Sequence, residues 1–209
     1  FSAQANSAVV MKLASRNITA AVTVMVPNSL GPGELLLHYG TDEQKALYME
    51  KLYFGEWAGT MCLTEAQAGS DVGALRTRAE RNGDGTYAIT GQKIYISWGD
   101  NDFTPNVCHL VLARLPDGVP GTKGISLFLV PKFLLDDNGE SGERNDLSCI
   151  SLEHKLGIHG SPTCTLAFGE NGGAVGYLVG ETHNGLAAMF TTSASSLARS
   201  NIIGRSGRS

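Results

Sequence analysis

The stretch Met61–Asp71, MCLTEAQAGSD, followed downstream by Gly91–Ser97, GQKIYIS, sets the reading of the whole chain. The first stretch brings together two hydroxyls (Thr64, Ser70), two carboxylates (Glu65, Asp71) and a small Ala68-Gly69 pair that lets backbone approach a ligand closely. The second places Tyr95, Ser97 and then Trp98 at the end of a hairpin strand. Such residues suit the wall of a cofactor pocket. Residue types alone lead first to a plainer reading, a capped loop with Ser70 or Asp71 as the cap, Glu65 solvated, and Tyr95–Trp98 in ordinary strand packing. Neither stretch is a G-x-G-x-x-G fingerprint or a Walker A loop, so nucleotide binding here would rest on isolated hydroxyls and backbone amides.

Outward from these stretches the pattern is β. Leu75–Arg81 leads into the turn Asn82-Gly83-Asp84-Gly85, whose N-G and D-G pairs favour a hairpin, and Thr86–Thr90 forms the return strand. Gly91 reads as a second turn into Gln92–Ser97. Val107–Leu115 and Gly124–Lys132 are apolar strands, and Leu134–Asp146 (LLDDNGESGERND) reads as an exposed acidic loop or insertion. Cys149–Leu152, Cys164–Phe168 and Gly176–Val179 resume strand character. Short strands with frequent turns predict an antiparallel sandwich or barrel.

The flanks are helical. Residues 1–26 mix Ala with β-branched residues and read as helix over strand; Pro27 and Leu30-Gly31-Pro32-Gly33 read as breaks before a short helix Glu34–Tyr39. Thr41 and Gln44 form a capping box, and Ala46, Met49 and Tyr53, with Leu52 beside them, make the apolar stripe of a helix that Gly55 ends. Helical signal returns from Asn184 through Leu186, Met189 and Phe190 and fades after Ala198. The expected fold class is α+β: a partial N-terminal helical domain (1–56), an antiparallel β-sandwich or barrel middle domain (57–182), and the beginning of a C-terminal helical bundle (183–209).

A net charge of −4 gives no field that attracts nucleic acid. No apolar run approaches the ~20 residues that span a bilayer, and the N-terminus carries no signal-peptide pattern, so a cytoplasmic location is the default. Phe1 and the Ser/Arg/Gly tail Ser200–Ser209 lead us to expect a piece of a longer protein. Cys62, Cys108, Cys149 and Cys164 are too widely spaced for a zinc site or disulfide framework and read as buried thiols; His154 and His159, five residues apart, share no helical face, so no metal is expected.

Taken together, the two stretches resemble the flavin-binding signatures TEPxAGSD and GxKxWITN of the acyl-CoA dehydrogenase family's middle domain. GTDEQKALYMEKLYFGEW (40–57) is similar to the family's helix before the first signature, and HKLGIHGSPTCTLAFG (154–169) to a later middle-domain segment, so residues 31–190 fit in order. The acidic insertion and GTKGISLFLVPK (121–132) most resemble the branch containing methylthiopropanoyl-CoA dehydrogenase and related long-chain members. The resemblance implies FAD as cofactor, with Met61, Leu63, Thr64, Gly69, Ser70, Tyr95, Ile96 and Ser97 lining it. Thr64 would bond the pyrimidine edge of the isoalloxazine, Ser70 would sit near the FAD pyrophosphate and the acyl-CoA chain, Tyr95 would replace the ring-packing Trp, and Ser97 the Thr whose hydroxyl approaches flavin N5. Ala66 replaces the signature Pro and removes a fixed φ, and Trp98 stands where a small or amide residue is common in the family. Arg199 would correspond to a substrate-side Arg at the start of the C-terminal bundle; a solvated Arg is the other reading.

The family's reaction, as the resemblance implies it, removes an α-proton from an acyl-CoA thioester with a carboxylate base while the β-hydrogen leaves as hydride to the flavin, and the electrons pass to electron-transfer flavoprotein. The base Glu belongs to the C-terminal bundle and is expected beyond residue 209; Glu65, Glu153 and Glu181 do not take its place. The isolated 209 residues are expected to bind FAD weakly and to be inactive, and the complete protein to be a homo-oligomer, a dimer or tetramer. Two other readings stay open: a flavin oxidase or monooxygenase on the same scaffold, and a non-enzymatic β-sandwich interaction module.

Overall fold

The computed structural model describes residues 3–25 and 27–190. Helices α1 (Ala3–Ala14), α2 (Ile18–Met25) and α3 (Pro27–Tyr39) come first. Helix α3 therefore runs through Leu30-Gly31-Pro32-Gly33, where the sequence predicts a break. Packing overrides propensity here: Gly31 and Gly33 are buried, and a Cβ on Gly31 would stand 3.2 Å from the Met61 sulfur. The missing side chains let the helix settle closely on the strand beneath it.

The next helical segment starts at the predicted capping box, in which Gln44 N donates to Thr41 Oγ1 (3.1 Å) and Thr41 N to Gln44 Oε1 (3.1 Å). It comprises α4 (Asp42–Gln44), a π-helical turn (Lys45–Met49) and α5 (Glu50–Tyr53), and ends at Gly55 with φ 72°. The predicted stripe is out of phase: Tyr48 and Leu52 are buried, whereas Ala46 and Tyr53 are exposed. The π turn takes up an extra residue and rotates the buried face away from Ala46, Met49 and Tyr53.

Among the described residues ten strands follow: β1 (Ala58–Cys62), β2 (Arg78–Arg81), β3 (Tyr87–Ser97), β4 (Val107–Arg114), β5 (Ile125–Pro131), β6 (Phe133–Leu135), β7 (Ser141–Arg144), β8 (Leu147–Leu152), β9 (Thr163–Phe168) and β10 (Ala174–Val179). β4, β5, β10, β3 and β2 pair in a ring that closes where β2 meets β4, at Arg78 and Arg114. The sandwich-or-barrel alternative thus resolves to a barrel. The pairing is not wholly antiparallel, because β1 and β2 both run parallel to β4.

The continuous apolar runs in β4 and β5 follow from burial on both faces. Leu110, Leu112, Leu127 and Leu129 face the helices with Leu35, Leu36, Tyr48 and Trp57; Val111, Ala113, Phe128 and Val130 alternate with them and fill the barrel with Ile89, Leu166 and Phe168. Past residue 184 the chain is helical over residues 185–190.

Two further expectations change. Gly91 is no turn; β3 runs straight through it, and a Cβ there would stand 2.8 Å from Thr77 Cα, so glycine permits a backbone crossing. The acidic segment forms the β6–β7 hairpin, closed by Asp136 Oδ1, which accepts from Asn138 N and Glu140 N (both 2.9 Å). Lys51 ties this hairpin to α5 through Gly139 O (3.1 Å) and Glu140 (2.7 Å).

Candidate functional site

β3 joins the barrel to the site. Its first half pairs with β2 and β10; its second half, Gly91–Ser97, pairs with β9 on one side and meets the continuation of β1 on the other. There Ile94 N donates to Thr64 O (2.9 Å), and Lys93 Nζ donates to Leu63 O (3.0 Å). The two stretches quoted at the outset are therefore neighbours across a strand-like seam.

Beyond Thr64 the chain folds back in a tight turn. Glu65 and Ala68 exchange backbone bonds, Glu65 N to Ala68 O (3.1 Å) and Ala68 N to Glu65 O (3.0 Å), with Ala66 and Gln67 at the tip. Gln67 Nε2 also donates to Glu65 Oε2 (2.6 Å). These bonds close the turn that Pro would have stiffened where Ala66 stands.

Glu65 is not solvated, contrary to the plainer sequence reading. It is 5% exposed and pairs with Lys93, which is fully buried, at 2.9 Å. Its carboxylate also accepts from Arg76 N (2.7 Å), Thr77 N (3.0 Å) and Thr77 Oγ1 (2.6 Å). Burial alone would push its pKa up; the Lys93 charge and these donors outweigh it and hold the carboxyl down at about 2. Burial likewise pulls the Lys93 ammonium below its ordinary value, against the opposing pull of Glu65.

Directly after Lys93 the β3–β9 register slips, Lys93 pairing with Leu166 and Ile96 with Cys164. This bulge re-aims the strand. Tyr95 takes φ 61° and turns outward, 60% exposed, while Ile96 returns to the core. Trp98 has φ 55°, in the left-handed region that Asn tolerates better than most residues, which accounts for the signature Asn at this place. Trp98 compensates with an edge-on contact to Phe103 (5.7 Å between rings) and a bond from its N to Pro162 O (2.9 Å).

Of the predicted site residues, Met61, Leu63, Thr64 and Ser97 are half-buried, and Gly69 and Ser70 lie exposed in the bend after Ala68. The Ile96 side chain belongs to the barrel core, which leaves only its backbone for a ligand. Arg199 lies outside the described residues. No side-chain hydrogen bond among the described residues occupies the hydroxyls of Thr64, Ser70 or Tyr95. Hydroxyls without internal partners beside an exposed aromatic face suit a planar heteroaromatic ligand with polar edges. Sequence reasoning missed Glu65 and Lys93 as members of this site. Both are fixed letters of the signature forms TEPxAGSD and GxKxWITN, and that was the available signal.

A second polar cluster lies inside the barrel. His109 Nδ1 shares a hydrogen bond with Thr60 Oγ1 (2.7 Å), which also meets Cys62 Sγ (3.3 Å). His109 Nε2 finds no partner among the described residues. Burial pulls the imidazole down to about 3 and pushes the Cys62 thiol up to about 12, so both stay neutral near pH 7. Cys108 and Cys164 are buried as expected, but Cys149 is partly exposed. No group of three or more His, Cys, Asp or Glu among the described residues is arranged to hold a metal, and no described helix is long and apolar enough to cross a membrane.

The family description "Acyl-CoA dehydrogenase, middle domain" matches residues 60–170, which take in both signature stretches and most of the barrel. The chain belongs to the acyl-CoA dehydrogenase family. It is 53% identical over 151 residues to a 3-methylmercaptopropionyl-CoA dehydrogenase of Ruegeria pomeroyi, covering 72% of this chain and 25% of that protein. It is 50% identical over 169 residues to the broad-specificity linear acyl-CoA dehydrogenase FadE5 of Mycobacterium tuberculosis, covering 79% and 28%. Among solved structures, butyryl-CoA dehydrogenase from Megasphaera elsdenii superimposes with a TM-score of 0.67 at 27% identity, covering 88% of this chain and 44% of that one. The chain thus spans about a quarter of the length of the curated relatives it matches.

Proposed function

We propose that this chain supplies one wall of an FAD site in a protein that dehydrogenates acyl-CoA thioesters between the α and β carbons. The observation that carries the reading is the seam itself: Thr64 is bonded through its backbone to Ile94, beside the outward-turned Tyr95. FAD, when bound, supplies the hydride acceptor. The chain's own part is to orient it, with Thr64 and Ser97 offering hydroxyls to the polar edge of the ring, Tyr95 an aromatic surface, and Gly69 and Ser70 small or polar contacts toward the phosphates.

Met61, Leu63 and Ile96 contribute backing and backbone to the same wall. Glu65 has no place as the base, because its lone pairs are engaged and its pKa is too low to accept an α-proton efficiently near neutrality. The base lies outside the described residues, as does Arg199. In this reading residues 1–56 belong to a helical domain, 57–182 are the flavin-binding middle domain and 183–190 open a helical bundle; the remainder of the 183–209 segment lies outside the described residues. The complete protein assembles as a homo-oligomer and passes electrons to electron-transfer flavoprotein.

The test is purification of the complete protein. We expect a bound flavin spectrum, bleaching by a saturated acyl-CoA, and faster reoxidation by electron-transfer flavoprotein than by oxygen. Residues 1–209 alone should hold FAD weakly and turn nothing over. A complete protein without flavin would overturn the reading, and preferential reoxidation by oxygen would reassign it to an oxidase or monooxygenase.

A further inference from the structure

The seam between the two stretches has two fastenings. Consecutive carbonyls, Leu63 O and Thr64 O, are held by consecutive residues of β3, Lys93 through Nζ and Ile94 through its backbone N–H. Lys93 is in turn fixed by Glu65, one residue past Thr64, and Glu65 is fixed to the backbone of Arg76 and Thr77. The ion pair thus brackets Thr64 on one strand and abuts the bulge that presents Tyr95 on the other.

A bulge is where strand register is least constrained by the ladder, since one residue loses its partner. Here the residue before it is anchored by a buried ammonium and the residue after it, Ile96, by the barrel core. Tyr95 is left one direction in which to point. Apolar residues could fill the same space and spare the cost of burying two charges, but they would leave Arg76 N and Thr77 N without an acceptor. They could not hold a carbonyl.

Building on the FAD reading above, we propose that Lys93 and Glu65 are positioning residues for the flavin, their buried pair fixing Thr64 and Tyr95 in register with each other. Neither side chain need touch the cofactor. Their effect reaches it through the Leu63 carbonyl, the Glu65–Ala68 turn and the bulge.

The experiment uses the complete protein and measures FAD dissociation, the shape of the flavin absorption bands, and apoprotein thermal stability. The double variant Glu65→Leu/Lys93→Met removes both charges together. It also strips Arg76 N, Thr77 N and Leu63 O of their partners and so lowers thermal stability, but FAD affinity should fall roughly tenfold or more, beyond anything a comparable loss of stability produces in the barrel core, with the bands shifted toward those of free flavin. Phe128→Leu, in the barrel core beneath Tyr87, should lower stability while FAD affinity stays within about twofold of wild type.

Should the double variant not fold, Lys93→Arg gives the same readout: the charge persists, but a planar fork cannot meet the acceptors as the ammonium does, so FAD binding must weaken while the fold survives. The proposal is overturned if the double variant, or Lys93→Arg in its place, binds FAD like wild type with an unchanged spectrum. It is also overturned if Phe128→Leu loses FAD in proportion to its loss of stability. A wild-type protein that binds no flavin would instead overturn the FAD reading, before any variant is made.

Discussion

In the seam, the Glu65 carboxylate accepts from five donors and the Lys93 ammonium reaches two oxygens. Inside the barrel, Thr60, Cys62 and His109 are as deeply buried, yet His109 Nε2 has no partner among the described residues. The first cluster is ionic, densely bonded and tied to backbone; the second is neutral and bonded side chain to side chain. A buried charge survives only where donors and an opposite charge compensate its lost hydration, whereas a neutral imidazole can be left partly unsatisfied at a smaller cost. Polar burial in this chain therefore has two different meanings, a fixed backbone in one place and a tolerated side chain in the other.

The largest expected effect comes from breaking the ionic cluster on one side only. Glu65→Ala should leave Lys93 buried without its counter-ion and lower the unfolding free energy by about 3–5 kcal/mol in denaturant titration, with the double variant recovering only the part due to the unpaired charge, since Arg76 N and Thr77 N still lack an acceptor. If the single and double variants lose equal stability, the pair is not coupled as described.

Acid titration separates the clusters by pH. His109 has a folded pKa depressed to about 3, so the unfolded chain binds its proton first; the stability tied to the neutral ring is present above pH 6.5 and is lost as pH falls from there toward 3. Glu65 is also depressed, to about 2, and its contribution is present above pH 4.5 and lost as pH falls from there toward 2. His109→Phe should therefore flatten the dependence between pH 6.5 and 4.5, where one group titrating only in the unfolded chain is worth about 1.4 kcal/mol per pH unit. The steeper fall below 4.5 should remain. An unchanged slope above 4.5 would show that His109 ionises freely in the folded protein.

The smallest effect belongs to the neutral cluster. Thr60→Val keeps the volume but leaves His109 Nδ1 with only the weaker Cys62 Sγ at 4.0 Å, and should cost about 1–3 kcal/mol in the same titration. A loss matching that of Glu65→Ala would erase the distinction between the clusters.

Local signals were legible in the sequence wherever a few adjacent residues carry the whole interaction. The Thr41–Gln44 capping box and the hairpin turn at Asn82–Gly85 fall where they were expected. Signals failed where a distant partner decides. Gly91 looks like a turn until Thr77 crosses it, Gly31-Pro32-Gly33 looks like a break until Met61 packs against it, and the stripe of Ala46, Met49 and Tyr53 ignores a π turn that shifts its phase. Glu65 looked solvated because nothing adjacent in sequence neutralises it; its counter-ion lies on another strand.

The sequence by itself determined the alternation of helix and strand, the two signature stretches and so the family, because those depend on residue type and short spacing. Only the tertiary structure decided that the barrel closes through β2 and β4, that Lys93 is buried beneath the seam, and that a bulge turns Tyr95 outward beside Thr64. Strand register lies behind all three. One step of slip exchanges the faces of every side chain along a strand, and register is fixed by packing between residues far apart in the chain. MCLTEAQAGSD and GQKIYIS each carry one side of the seam; the bonds of Ile94 to Thr64 and of Lys93 to Leu63 join them.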